Sequence, residues 1–286
     1  MHTVNTPTPA RRQYWLTGAS SGIGRELALQ LAARGHIVYL SARSAAALQA
    51  LAAEAPEQLI PLPCDVSDDA QMSRVFEQLP APQRPQWLDG VIDGAGVCEY
   101  VDLPVLDTAT CRRVADVNYF GVVNACAAAL PLLQRAAEAP GRGRPFLAGL
   151  CSMSVYTAFP RAEAYGAAKA AMAYFLDSLR CDIGRQVDVC LVYPGFVATP
   201  MTAPNDFPMP FCLHAEDAAR RVLAGLDRPR RPRAFAFPWQ LHWILKLAAA
   251  LPGLWYGVIM PRMRRTPMAV AATPAPPTPD SKEASR

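Results

Sequence analysis

The stretch Gln13-Tyr14-Trp15-Leu16-Thr17-Gly18-Ala19-Ser20-Ser21-Gly22-Ile23-Gly24-Arg25 decides the fold of this 286-residue chain. Its opening run, Gln13 to Thr17, reads as a strand, and the apolar spacing after the glycines reads as a helix over 25–34. Between a strand and a helix each glycine has a physical task. Gly18 lets the chain turn sharply, Gly22 lets the backbone approach a pyrophosphate, and Gly24 lets helix and strand pack closely. The helix N-terminus offers unpaired N–H groups and a positive dipole end to phosphates, with Ser20, Ser21 and Ile23 completing the turn. This first junction therefore reads as a dinucleotide site.

The rest of the chain repeats the alternation. Short apolar or β-branched runs at 36–41, 59–63, 88–93, 145–150, 187–193 and 233–237 are separated by helical patterns near 44–54, 68–79, 108–135, 162–184 and 214–226. Such alternation predicts an α/β protein: a doubly wound parallel sheet of about seven strands, the Rossmann fold, with helices on both faces. Right-handed crossovers then require ligands to bind beyond the carboxyl ends of the strands. The organisation expected is a flexible N-terminus over 1–12, one nucleotide-binding catalytic domain over 13–238 and an apolar helical extension over 239–265. The Pro-, Ala- and Thr-rich tail, 266–286, is too poor in apolar surface to offset its ordering entropy and is expected to be disordered.

Composition excludes several classes. A formal charge of +4 is too small to argue for nucleic acid, and the arginines between 228 and 233 are interrupted by Pro229 and Pro232. Eight scattered cysteines with no C-x-x-C pair argue against a zinc site or a disulfide framework and for a reducing compartment. The polar, Pro/Thr-rich start is not a secretory signal. The cytoplasm is the expected location.

Ala42-Arg43 follows the second strand, where an acidic residue would bind the ribose hydroxyls of NAD and an arginine suits the extra phosphate of NADP. With no carboxylate there and a guanidinium able to meet a phosphate bidentately, NADP(H) is the expected cofactor. Asp65-Val66, after the third strand, would set a carboxylate near the adenine amino group. Its other reading is a helix cap, a role open equally to Ser67 or Asp68.

Tyr165 and Lys169 are four apart in a helical segment and so project from one face. Ser152 stands thirteen residues before Tyr165 at a strand end, and Asn118 lies in the preceding long helix. Reduction of a carbonyl leaves charge on oxygen that must be protonated, and a free tyrosine, with a pKa of about 10, is a poor partner at neutral pH. A nearby ammonium together with an oxidised nicotinamide would pull the phenol down by roughly 4 kcal/mol of electrostatic help.

Taken with the Thr17–Gly24 turn, these residues resemble the short-chain dehydrogenase/reductase family in its common short form. The likeness runs from Gln13 to about Met201 and includes Tyr193-Pro194-Gly195-Phe196-Val197-Ala198-Thr199-Pro200-Met201, similar to the family's Pro-Gly-x-Val-x-Thr segment beside the nicotinamide. The resemblance implies that Tyr165 passes the proton, Lys169 also binds the nicotinamide ribose, Ser152 hydrogen-bonds the substrate oxygen, and Asn118 holds a water linking Lys169 to solvent. It places Pro194, Gly195, Val197 and Thr199 against the cofactor, and it suggests a homodimer or tetramer built through the helices near 108–135 and 162–184.

One segment departs from the pattern. Family members carry Asn-Asn-Ala-Gly after the fourth strand, whereas this chain has Asp93-Gly94-Ala95-Gly96. Ala95 and Gly96 keep the backbone open beside the cofactor. A buried carboxylate is costly unless N–H groups meet it, so Asp93 is expected to be bonded to backbone and structural. The same departure favours an alternative reading, a nucleotide-binding regulatory or scaffold protein of this fold without turnover.

The substrate is expected between Cys98-Glu99-Tyr100, the Met153–Phe159 segment and the loop Thr199–Leu213. The apolar side chains of that loop, Met201, Phe207, Met209 and Phe211, point to a hydrophobic alcohol or ketone such as a lipid, steroid or aromatic aldehyde. The run from Trp239 to Met260 is apolar but broken by Pro252-Gly253 and carries Lys246 midway, so it is a poor membrane span. It reads as an interfacial pair of helices at a membrane surface, as packing on the substrate site, or as a contact with another subunit.

Overall fold

In the computed structural model of the chain, residues 11–263 are described. The expected flexible start and disordered tail fall largely or wholly outside them. Seven strands form one parallel sheet: β1 (Gln13–Thr17), β2 (Ile37–Ser41), β3 (Leu59–Pro61), β4 (Gly90–Asp93), β5 (Phe146–Leu150), β6 (Asp188–Pro194) and, last in the chain, β9 (Ala234–Phe237). Two short strands, β7 (Val197–Ala198) and β8 (Leu213–His214), pair separately beyond its edge. The order is β3-β2-β1-β4-β5-β6-β9, so the winding reverses between β1 and β4, and a crevice opens at that point beyond the strands' carboxyl ends.

Side-chain alternation along each strand builds two cores. Leu16, Leu40, Ile92 and Ala148 face α1 (Gly22–Ala33) and α7 (Ala215–Leu226). Trp15, Tyr39, Val91 and Leu147 face the opposite layer of α3 (Asp69–Ser73), α5 (Gly121–Glu138) and α6 (Glu163–Ile183). A parallel sheet covered on both faces requires strands apolar on both sides.

The helices hold two departures from expectation. The pattern over 68–79 yields only α3, then 3-10 turns at Val75–Gln78 and Ala81–Gln83, where Pro80 and Pro82 lack the N–H a helix needs. The long helix near 108–135 is α4 (Thr108–Ala115) running through a π turn, Asp116–Phe120, into α5. As one helix, Thr108–Glu138 is long and apolar enough to cross a membrane, but residues such as Val122, Cys126, Ala129 and Leu133 are buried against the sheet.

After β9 come α8 (Trp239–Ala250), α9 (Pro252–Leu254), a π turn at Trp255–Ile259 and α10 (Met260–Met263). The two arms bend by 96° at Leu251-Pro252. Leu241, Leu245, Trp255 and Met260 pack with Met153, Tyr156 and Phe159 into a small separate core.

Candidate active site

The β1–α1 turn adopts the conformation its glycines permit. Gly18 has φ +69°, and a Cβ there would lie 2.5 Å from the Gly94 carbonyl oxygen, so β1 and β4 can meet at their ends only with glycine at this point. A Cβ on Gly24 would collide with the Gly18 carbonyl. The N-cap of α1, Ser21, makes no side-chain cap bond, and no acidic residue occupies the first turn. The helix end is therefore electropositive and open to an anion.

A cleft of about 700 Å³ runs from this turn across the carboxyl ends of the sheet. Gly18, Ser20, Ser21, Gly22, Ile23 and Gly24 line it with Arg43, Asp65 and Val66, and so do Ala95, Gly96, Ser152, Tyr165, Lys169, Pro194, Gly195, Val197 and Thr199. Of the catalytic and cofactor residues expected in the site only Asn118 does not line the cleft, and of the apolar substrate-loop side chains Met201 lines it whereas Phe207, Met209 and Phe211 do not. It is fully buried in the π turn, where Nδ2 donates to Val97 O at 2.7 Å and Oδ1 accepts from Val97 N at 3.1 Å. The amide is a strut for the wall of the cleft, each of its polar atoms carrying one bond to the Val97 backbone. A Cβ on Gly96 would come within 2.7 Å of its Oδ1.

Arg43 is exposed at the cleft's mouth, and among the described residues it has no ion-pair partner. Asp65 accepts from the Ser67 backbone at 3.0 Å and the Ser67 hydroxyl at 2.7 Å, while Asp68 caps the following helix through Gln71 N. The capping alternative for Asp65 thus passes to Asp68.

Ser152 follows β5 by two residues in extended conformation, and its Oγ accepts from Ser154 N at 3.1 Å, which fixes the hydroxyl at the cleft. Tyr165 and Lys169 rise from one face of α6. The Tyr165 phenol lies beside Ser152 in the cleft, whereas Lys169 is buried and donates from Nζ to Leu150 O at 2.9 Å. Burial dominates both titrations: it pushes the Tyr165 phenol up, against the lowering effect of Ser152, and pulls the Lys169 ammonium down. Burial thus outweighs Ser152 at the phenol, and the lowering expected from Lys169 acting with an oxidised nicotinamide belongs to the proposal below.

Asp93 also departs from expectation. Its Oδ1 accepts from the Thr17 hydroxyl at 2.5 Å rather than from backbone, and the buried Oδ2 has no hydrogen-bond partner among the described residues. The backbone enters one step removed, since Thr17 Oγ1 accepts from Gly94 N and Ala95 N, both at 3.1 Å. Desolvation raises the Asp93 carboxyl. Thr17 was legible only as a strand end, although a hydroxyl immediately before the first glycine was a usable signal.

Sequence reasoning also missed a clasp over the substrate side. Arg161, at φ +66°, pairs with Asp102 at 2.5 Å and Asp206 at 3.3 Å, and its guanidinium lies 4.5 Å from the centre of the Tyr100 ring. Tyr100 in turn bonds Asn205 and meets Phe207 edge-on. Two of the three segments expected around the substrate are thereby joined above the start of α6.

A sequence model of the family described as short chain dehydrogenase matches residues 14–207. An uncharacterized oxidoreductase from Myxococcus xanthus is 36% identical over 254 residues, 87% of this chain and 96% of its own length. The 11-beta-hydroxysteroid dehydrogenase A of Sesamum indicum is 33% identical over 192 residues; the match covers 65% of this chain and about half, 53%, of that protein. Among solved structures, a short-chain dehydrogenase from Streptomyces avermitilis superposes with a TM-score of 0.73 at 21% identity, over 90% of this chain and 100% of its own. One from Burkholderia cenocepacia, in complex with NADP, does so with a TM-score of 0.71 at 22% identity, over 86% and 96%. These last two likenesses show the fold.

Proposed function

The chain belongs to the short-chain dehydrogenase family of oxidoreductases, and on that footing we propose that it is an NADP(H)-dependent enzyme acting on an apolar carbonyl or alcohol. The observation that carries the reading is the meeting of Tyr165, Ser152 and Lys169 in one cleft with an open helix N-terminus. The cradle fits a dinucleotide: side chains are missing where Gly18, Gly24 and Gly96 approach other backbone or Asn118, and no carboxylate opposes the helix end. Gly18 to Gly24 would hold the diphosphate, Arg43 the additional phosphate, Asp65 and Val66 the adenine side, and Pro194 to Thr199 the nicotinamide side.

The nicotinamide, when bound, supplies or accepts the hydride. The protein's own part is proton transfer and positioning. Ser152 Oγ, fixed by its bond to Ser154 N, orients the substrate oxygen and the Tyr165 hydroxyl toward each other. Tyr165, kept protonated by burial, donates to the oxygen of a carbonyl being reduced and takes the proton back in the reverse direction. Lys169, anchored on Leu150 O, supplies positive charge behind the phenol as it becomes phenolate. The apolar substrate class is supported by Met201, by Phe207 packed on Tyr100 and Phe196, and by the likeness to the 11-beta-hydroxysteroid dehydrogenase A of Sesamum indicum.

Consumption of NADPH by the purified chain, followed with a series of apolar ketones and aldehydes, tests the proposal. Turnover with at least one, and faster with NADPH than NADH, is expected. Tight NADPH binding without consumption on any carbonyl would overturn it in favour of a nucleotide-binding protein without turnover.

A further inference from the structure

The elbow after β9 has an apolar surface that the fold does not use. On α8, Leu241 and Leu245 face inward to the small core, while Trp239, Trp243, Ile244, Leu247 and Leu251 form a second stripe at helical spacing and are 46–66% exposed. The second arm continues it with exposed Leu254, Tyr256 and Val258. A helix with one apolar face buried and another turned to water is anomalous for a soluble surface.

Charge identifies the occupant. Between residues 228 and 279 the sequence holds eight Arg or Lys and no Asp or Glu, in a chain with 24 acidic residues. Lys246 and Arg262 stand within the elbow, both exposed. A two-fold contact between copies would set these like charges face to face, whereas an anionic surface complements them. The 96° bend and the mid-helix Lys246 leave neither arm able to span a bilayer.

We propose that the elbow 239–263 docks this protein on an anionic phospholipid surface, with its aromatic and aliphatic stripe in the headgroup region and its basic residues on lipid phosphates. The consequence for catalysis rests on the function proposed above. Trp255 Nε1 donates to Ala158 O at 3.1 Å, and Tyr256 contacts Thr157, so the elbow is braced on the segment that follows Ser152. Docking would therefore present the substrate side of the cleft to the bilayer.

Co-sedimentation of the full chain with vesicles of phosphatidylcholine, alone or with phosphatidylglycerol, reads docking without reference to turnover. Binding is expected to the mixed vesicles, weaker to the neutral ones, and reduced by salt. The surface double variant Trp243→Ser/Leu247→Ser, with its fold checked by circular dichroism, should bind at least about tenfold less. Arg262→Glu should lose mainly the preference for anionic lipid. Absence of sedimentation with either vesicle, or equal binding by the double variant, would overturn the proposal. So would a wild-type oligomer that falls apart in that variant, since the stripe would then be a contact between copies.

Discussion

At Thr17 a single hydroxyl donates to Asp93 and accepts from the N–H groups of Gly94 and Ala95, all at the buried end of the sheet. Thr17→Val keeps the shape and removes all three bonds, leaving a buried carboxyl and two amides unsatisfied. A loss of about 2–4 kcal/mol is expected, read as a Tm lower by roughly 5–10 °C. The sign with pH follows from Asp93. Its carboxyl is already raised in the folded state, and the Thr17 bond is what lowers it. Without that bond the folded protein holds the proton still more tightly than the unfolded chain, so the deficit grows as pH rises above the ordinary carboxylate range. At the cleft mouth, Arg43→Ala should raise KM for NADPH at least about tenfold and leave that for NADH within about twofold, as expected for a lost phosphate contact. Tyr165 carries a pH signature. Because burial holds the phenol protonated, kcat/KM for reduction should stay level from about pH 6 to 8, while kcat/KM for oxidation should climb about tenfold per pH unit. At this scale the sequence reveals residue identity better than environment. Tyr165, Lys169 and Ser152 are recognisable from type and spacing, but desolvation depends on what the fold packs around them, so the burial that raises the Tyr165 phenol could not be read in advance. The same holds for Asn118, whose partner is the backbone of Val97.

Elements were legible in proportion to their periodicity. Every strand of the main sheet begins or ends within about two residues of expectation, because a strand covered on both faces is a short continuous apolar run. The third strand is assigned only to Pro61 at the sheet edge, although Leu62 N and Cys64 N still donate to Leu40 O and Ala42 O. The paired strands β7 and β8 were not foreseen, since two residues carry no pattern. The Arg161 clasp was equally silent: its partners Asp102 and Asp206 lie 59 and 45 residues away in loops. Its effect is open to measurement. Two partly exposed ion pairs of about 0.5 kcal/mol each correspond to roughly fivefold in binding. Arg161→Ala should therefore raise KM for a carbonyl substrate about fivefold with kcat little changed, in steady-state assays at saturating NADPH. A fall in kcat alone would mean the clasp acts on chemistry rather than on holding the substrate loops.

For the whole molecule, the reversal of strand order between β1 and β4 explains why residues as far apart as Gly18 and Thr199 share a cleft. The helices α4 to α6 present Phe120 and Tyr174, 51% and 79% exposed, on a layer away from the elbow's own stripe. We expect a homodimer or tetramer through that layer, read by light scattering; Tyr174→Asp should lower the mass to the monomer, and a monomeric wild type would contradict it. The central claim is that the phenol of Tyr165 transfers the proton at a dinucleotide cleft, and Tyr165→Phe tests it most directly when NADPH binding and NADPH consumption are measured on the same sample. The account predicts binding within about threefold of the parent and turnover reduced by at least about a thousandfold. Undiminished turnover in that variant would contradict it.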